Sequence, residues 1–211
     1  MNNKEKWEFD EFKHSQVEDV LEKNETILYR TKPKKSAYIW SAILPMFPIV
    51  VLWAVVDGVF FPMFIGAWSS TPFSTFLKVF TCLFFICHLA PVWLWLGNII
   101  KSALEYKNID YAFTDRRIII RNGIIGIDFK SIFYTEIDSI DVEVGIIDTI
   151  LKVGDIRIKH GIQHSIVYDV GHPYSIVTKL QKITLDIKAD IHYPNDLRPN
   201  ENHGYNTKYK G

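Results

Sequence analysis

The stretch between Lys35 and Lys101 constrains this chain most, because its 65 residues carry only two formal charges, Asp57 and Lys78. The remainder is rich in charge, so the overall hydrophobic content of 48% averages two unlike regions. A water-soluble fold of this size cannot bury so long an uncharged run, whereas a bilayer span needs about 20 mostly apolar residues. The sequence therefore predicts an integral membrane protein with most of its polar mass on one side.

Two spans are predicted within this stretch, Ser36–Val56 and Val79–Ile100. The segment between them is apolar but contains Pro62, Gly66 and Pro72. We expect this segment to be broken and to lie at the membrane interface, because backbone exposed to lipid must satisfy its own hydrogen bonds. The alternative is a buried helical pair in a soluble core.

Cations flank the predicted hairpin on one side only. They are Arg30, Lys32, Lys34 and Lys35 before the first span and Lys101 after the second. The intervening loop, residues 58–75, contains no Lys or Arg. Because positively charged flanks stay on the cytoplasmic side, we expect a multi-pass protein of the cell membrane with both termini in the cytoplasm.

Three ionisable residues lie within or beside the predicted spans: Asp57, Lys78 and His88. At about 1.5 Å per helical residue, Asp57 and Lys78 reach a similar depth near the outer surface, where they pair with each other or each reach lipid headgroups. An ionisable residue inside a membrane is a functional hypothesis by default. The alternative for His88 is a neutral imidazole bonded to a backbone carbonyl.

After residue 109, apolar and polar residues alternate with the period of a β-strand. Asn122-Gly123 is typical of a two-residue hairpin turn, and a change of phase predicts a bulge or short turn near Asp138-Ser139. A helix is predicted from Pro173, with an apolar stripe on one face. The stripe consists of Ile176, Leu180, Ile183 and Ile187.

The predicted organisation has four parts. An N-terminal amphipathic helix (within residues 7–21) and a basic juxtamembrane segment occupy residues 1–35, and a two-helix transmembrane hairpin occupies residues 36–100. A cytoplasmic domain follows at 101–190 and a flexible tail at 191–211, where apolar residues nearly vanish.

Three runs of the cytoplasmic domain resemble the membrane-anchored bacterial pleckstrin-homology (PH) family. They are YAFTDRRIIIRNGIIG (Tyr111–Gly126), IDSIDVEVG (Ile137–Gly145) and LKVGDIRI (Leu151–Ile158). The layout is similar too, with two adjacent membrane helices followed by a PH-like domain. The resemblance implies a seven-stranded, partly open antiparallel β-barrel or sandwich capped by a C-terminal helix. It does not imply a catalytic activity.

Four basic residues are candidates for binding anionic lipid or a partner: Arg116, Arg117, Arg121 and Lys130. A cation near an anionic membrane contributes about 1 kcal/mol. Residues 109–185, however, hold nine basic and ten acidic residues. That balance lacks the excess of a dedicated phosphate pocket and disfavours nucleic acid.

The sequence contains no phosphate-binding glycine loop with its lysine, no nucleophile elbow and no zinc-ligand spacing. His160 and His164, around Gly161, are interpreted as solvated turn residues rather than as a metal site. We therefore expect no catalytic residues, no metal and no cofactor.

The favoured function is a non-enzymatic, membrane-tethered interaction or scaffold module that contacts the bilayer and binds a partner protein or its own copies. Two alternatives remain open, an anionic-lipid or envelope-stress sensor and a subunit of a membrane transport or enzyme complex.

Overall fold

Four helices form a long hairpin in the middle of the chain, in a computed structural model that describes residues 16–70 and 74–192. One arm consists of α1 (Lys35–Ile43) and α2 (Phe47–Ser70), and the other of α3 (Thr75–His88) and α4 (Ala90–Glu105). The stretch Phe47–Trp68 is long and apolar enough to cross a membrane. Helices α3 and α4 meet the same criterion together, although they are bent by 46° at their junction.

The breaks expected at Pro62 and Gly66 are absent, whereas Pro72 lies outside the described residues. Helix α2 runs through Gly58, Pro62 and Gly66 without interruption. Pro62 removes only the N–H that would bond one carbonyl in the preceding turn, and the remaining helical bonds hold the helix together. The break in this arm lies earlier, between α1 and α2, so the predicted span Ser36–Val56 is divided between two helices.

Side chains of the opposite arm bond the carbonyls at the ends of the interrupted helices. At the α1–α2 break, Trp95 Nε1 donates to the carbonyl of Ile43 at 2.9 Å and Asn98 Nδ2 donates to that of Ala42 at 3.3 Å. At the α3–α4 bend, Trp53 Nε1 donates to the carbonyl of His88 at 2.7 Å. Such bonds are needed wherever a helix is interrupted away from water.

Seven strands form two antiparallel sheets. The first has the order β1–β2–β3–β4 and the second the order β5–β6–β7. Their bounds are Ile27–Thr31 (β1), Asp110–Thr114 (β2), Arg117–Asn122 (β3), Asp128–Phe133 (β4), Ser139–Glu143 (β5), Val153–His160 (β6) and Gln163–Gly171 (β7). The sheets are open, so the architecture is a PH-like pair of sheets rather than a closed barrel.

Two further helices belong to this domain, the short α5 (Ile146–Leu151) and the C-terminal α6 (Pro173–His192). The predicted apolar stripe of α6 is buried against both sheets in one continuous core. That core includes Tyr111, Ile118, Ile132, Tyr134, Ile156, Ile158, Val167, Ile176, Leu180, Ile183 and Ile187. The predicted C-terminal helix is therefore present.

Strand β1 lies before the hairpin in the sequence, yet it pairs antiparallel with β2, which lies after it. The short 3-10 turn Val17–Val20 also packs on the sheet, where Val17 contacts Ala112 and Ile119. The boundary predicted at residue 35 therefore needs correction, because the PH-like domain includes residues on both sides of the hairpin. The remainder of the predicted N-terminal helix and nearly all of the predicted tail lie outside the described residues.

Two local predictions are also corrected. The loop after β3 spans residues 123–127 rather than two residues, since the last pair of the ladder is Asn122 with Asp128. The phase change before β5 is produced by a 3-10 turn at Tyr134–Glu136. In β7, Val167 and Val170 are buried and Tyr168 is exposed, because a register shift opposite Gly154–Ile156 interrupts the alternation.

Candidate functional site

A groove runs between the edge strand β1 and helix α6, with a volume of about 580 Å³. Its floor is apolar, and Tyr29 stacks on Phe113 with ring centroids 6.1 Å apart. The rim carries Lys179 and Lys182 of α6 together with His172. The remaining lining residues are Leu28, Ser175, Ile176, Leu180 and Ile183.

Two side chains of helix α6 also bond to the backbone of β5 and of the residues just before it. Gln181 Nε2 donates to the carbonyl of Ile140 at 2.9 Å, and Lys188 Nζ donates to that of Ile137 at 2.5 Å. The groove wall is therefore fixed by hydrogen bonds as well as by the apolar stripe.

The chemistry of the groove suits an extended acidic segment. Because β1 is the outermost strand of its sheet, one of its sides presents backbone N–H and C=O groups to an added strand. The half-exposed side chains of Leu28 and Tyr29 offer apolar contact, and the two lysine ammonium groups favour carboxylates. Sequence analysis missed this groove because β1 was not predicted, and the spacing of Lys179 and Lys182 alone carries no such signal.

The four basic residues predicted to bind lipid or a partner do not form a free patch. Arg116 forms an ion pair with Glu22 at 2.5 Å, and Arg117 forms one with Glu25 at 2.8 Å. Arg121 donates to the carbonyl of Asn108, and Lys130 lies on β4 opposite Ile120. These contacts use three of the four side chains within the chain itself.

The Arg117–Glu25 pair is buried. The Arg117 side chain is 11% exposed and that of Glu25 is fully buried. Burial alone would raise the pKa of Glu25, but hydrogen bonds from Arg117, from the Glu22 backbone and from Thr114 together lower it below its ordinary value. This pair fixes the N-terminal segment to the sheet.

The predicted flanking cations have two different roles. Arg30 belongs to β1 and pairs with the buried Asp110 and with Glu18, both at 2.5 Å. The others, Lys32, Lys34, Lys35 and Lys101, are exposed close to the domain-side ends of α1 and α4. Sequence analysis grouped Arg30 with them because its carboxylate partner lies 80 residues away.

Within the hairpin, Asp57 faces His88 rather than Lys78. Asp57 Oδ1 and His88 Nδ1 lie 2.8 Å apart, and the imidazole N–H donates to the carboxylate. The imidazole stacks between Trp53 and Phe84, with both ring centroids 5.4 Å away. The predicted alternatives, an Asp57–Lys78 pair and a His88–carbonyl bond, are replaced by one polar pair near the middle of Phe47–Trp68.

A second cavity, of about 420 Å³, lies beside this pair. The Asp57 side chain is 9% exposed, and its Oδ2 has no hydrogen-bond donor among the described residues. The other lining residues are apolar or small, namely Gly58, Phe61, Cys82, Phe85, Ile86 and Leu89. The hairpin therefore contains one acceptor atom turned toward an apolar cavity.

Within residues 16–70 and 74–192, no group of three or more His, Cys, Asp or Glu side chains is placed to hold a metal ion. His160 Nε2 lies 2.8 Å from Ser165 Oγ, across the β6–β7 hairpin. His164 lies on β7 opposite Lys159.

The chain belongs to the bacterial PH domain family, whose model matches residues 37–184. A crystal structure of a DUF1696 family protein with a pleckstrin-homology domain from Shewanella loihica PV-4 is similar, with a TM-score of 0.30 and 17% identity over 36% of this chain and 70% of that one. Among curated proteins, none matches the chain. PH domains commonly bind lipids or proteins, so membership in the family indicates a binding or scaffold module.

Proposed function

We propose that this chain is a membrane-tethered binding module that faces the cytoplasm. In this proposal the helical hairpin is the anchor, and the groove between β1 and α6 receives an extended acidic segment of a partner protein. The observation that carries the proposal is the groove itself, in which a sheet edge, an apolar floor and two lysines lie together. We further propose that the module has no enzymatic activity, since PH domains are generally non-catalytic.

The outward-facing side chains of α2 support the anchor. Only 11% of the most apolar stretch of Phe47–Trp68 is buried, whereas the core helix of a water-soluble protein would be mostly enclosed. Large apolar residues are exposed all along this helix, among them Ile49, Leu52, Val55, Val59, Phe60 and Met63. Hydrocarbon is the solvent that such a surface favours.

The pairing of β1 with β2 supports an even number of crossings. The two strands lie immediately before and after the hairpin and form one sheet, so both arms must return to the same side of the membrane. Exposed lysines at that end favour the cytoplasm. They are Lys34, Lys35, Lys101 and Lys107.

Membrane tethering is tested by sedimenting the full chain from cell lysate and washing the pellet at alkaline pH. We expect the protein to stay in the pellet and to be released only by detergent. Release by the alkaline wash would contradict the anchor.

Groove binding is tested with a photo-crosslinking amino acid placed at Leu28, in the groove, and at Ile162, on a distant hairpin tip. We expect a crosslinked partner from position 28 and none from position 162. The double substitution Lys179→Glu and Lys182→Glu should abolish the crosslinked product from position 28, whereas Lys159→Glu should leave it unchanged. A product that persists after the charge reversal would contradict the groove as the binding site.

The Asp57–His88 pair favours a second candidate function, a subunit of a larger membrane complex. A buried acceptor without a donor, next to an apolar cavity, suits a polar group from a neighbouring membrane helix. We expect Asp57→Asn or His88→Ala to reduce the size of the complex in mild detergent, as seen by native electrophoresis. An unchanged complex with normal expression would exclude this role.

A further inference from the structure

One end of the PH-like domain carries exposed isoleucines on two separate elements. Ile124 and Ile125 lie in the β3–β4 loop, and Ile125 is fully exposed. Ile146 and Ile150, one helical turn apart on α5, are 84% and 74% exposed. We call these four residues the isoleucine surface.

The β3–β4 loop lies at the end where α4 enters the domain. Asn108 follows α4 by three residues, and its Nδ2 donates to the carbonyl of Gly123 at 3.0 Å. Arg121, near the end of β3, donates to the carbonyl of Asn108 at 3.2 Å. Two bonds therefore hold this loop against the base of the second arm.

Helix α5 lies at the end where α1 leaves the domain. Lys34, the residue before α1, donates from Nζ to the carbonyl of Leu151, the last residue of α5, at 2.9 Å. The backbone N–H of Lys34 donates to the carbonyl of Asp169 at 2.9 Å. The two isoleucine-bearing elements thus share the end of the domain from which both arms extend.

Exposure alone does not mark this surface, because Ile162 is also fully exposed. Ile162 lies at the tip of the β6–β7 hairpin. Strand β6 begins at Val153, two residues after α5, and ends at His160, about 23 Å further on at 3.3 Å per residue. Ile162 is therefore a far-end counterpart of Ile125.

The arms place the isoleucine surface next to the lipid headgroups. Lys101 and Asn108 are seven residues apart, which is about 10 Å along a helix. The headgroup layer extends roughly 5 to 8 Å beyond the hydrocarbon on each side. The exposed cations Lys34, Lys35, Lys101 and Lys107 at this end complement anionic headgroups.

We propose that the isoleucine surface rests in the lipid interface, so that the domain is held on the bilayer by contacts additional to its two arms. The partner is the phospholipid surface itself. Removing apolar side chains from water is favourable, and because the arms already tether the domain, a few such contacts suffice to orient it. The inference rests on the proposed tethering and adds to it a fixed orientation.

The test uses the full chain with Cys82→Ala and Cys87→Ala, in vesicles of phosphatidylethanolamine and phosphatidylglycerol. A polarity-sensitive fluorophore is attached in turn to Ile125→Cys, Ile146→Cys and Ile162→Cys. We expect blue-shifted emission at positions 125 and 146, and loss of that emission when brominated lipids replace the ordinary ones. Position 162 should show neither effect.

Emission at positions 125 and 146 that matches position 162 would overturn the inference. If the chain still co-sediments with the vesicles, the proposed tethering stands and only the inferred orientation fails. Co-sedimentation therefore distinguishes failure of the tethering from failure of the orientation. Quenching at only one of the two positions would contradict the inference that both elements contact the lipid interface together. Each labelled protein must elute as one species in detergent, and the double substitution Ile125→Glu with Ile146→Glu should remove the blue shift from a probe at Ile150→Cys.

Discussion

The hairpin and the PH-like domain place their polar groups in opposite ways. In the domain, apolar side chains form the interior and charged residues cover most of the outside, with the Arg117–Glu25 pair as a buried exception. In the hairpin, apolar side chains face outward, while the Asp57–His88 pair and the indole N–H groups of Trp53 and Trp95 bond to the opposite arm. The difference supports the proposal that hydrocarbon surrounds the hairpin, whereas water surrounds the domain.

The largest effect is expected from Arg117→Ala, which leaves the buried carboxylate of Glu25 without its partner. Removing one member of a buried pair typically costs about 3 to 5 kcal/mol. Thermal unfolding of the full chain in detergent, followed by circular dichroism of the strands, measures this loss. Arg116→Ala breaks an exposed pair instead and should cost less than about 1 kcal/mol. Equal losses of stability in the two variants would contradict the greater contribution assigned to the buried pair.

The next largest effect concerns pH and Asp169, a buried residue with φ 51°. Burial, and then the nearby Asp155 and Asp148, raise its pKa from an ordinary 3.8 to about 7. The folded state therefore keeps a proton that the unfolded state releases between about pH 4 and pH 7. The contribution of Asp169 to the free energy of unfolding falls as pH rises through this window, by at most about 4 kcal/mol.

Asp169→Asn should remove that decline and stabilise the protein above pH 7, because asparagine tolerates the same backbone conformation without the charge. Melting temperatures from pH 4 to pH 8 measure the effect. Asp141→Asn, on the exposed side of β5, is the matched control and should leave the slope unchanged. If the melting temperature of Asp169→Asn still declines with pH as in the unchanged protein, another group is responsible for the decline.

Within the hairpin, His88→Leu should cost about 2 to 3 kcal/mol, because Asp57 would keep a carboxylate in apolar surroundings. The double substitution Asp57→Leu with His88→Leu should recover most of this loss, since neither polar side chain remains. Unfolding in mixed micelles measures both variants. A double variant as unstable as the single one would show that altered packing, rather than loss of the polar pair, causes the loss of stability.

The smallest effect is expected from Trp95→Phe, which removes the donor to the carbonyl of Ile43 and keeps most of the ring. An unsatisfied buried carbonyl costs about 1 to 3 kcal/mol, and some relaxation at the break should hold the loss near the lower value. Trp40→Phe, at an exposed position in α1, is the control. Equal stability of the two variants would contradict the role assigned to the opposite arm.

Much of the PH-like domain follows from its sequence, because its signals are local. Alternation predicts β3, β4 and β6, and the spacing from Ile176 to Ile187 predicts α6 and its buried face. Strand β1 escaped prediction because five residues give a weak pattern and their partner strand lies about 80 residues away. The groove, which depends on β1, escaped with it.

The candidate polar residues show the same limit. Asp57 and His88 were predicted as candidate functional residues because they lie in a nearly uncharged stretch. Their mutual contact was not predicted, because it depends on where the two arms bend. The predicted span ended at Val56, whereas Asp57 lies near the middle of the apolar stretch Phe47–Trp68. The ion pairs of Arg116 and Arg117 depend on the N-terminal segment packing on the sheet, which no local pattern reveals.

The insertion of the hairpin between β1 and β2 has a consequence for biogenesis. During synthesis β1 leaves the ribosome first, but its partner emerges only after both arms have been made. A chain whose second arm failed to cross the bilayer would leave β1 and β2 on opposite sides, each with an unpaired edge open to proteolysis. Under the proposed anchoring, pairing of β1 with β2 therefore requires that both arms have crossed the bilayer, so that folding of the domain depends on correct insertion of the hairpin.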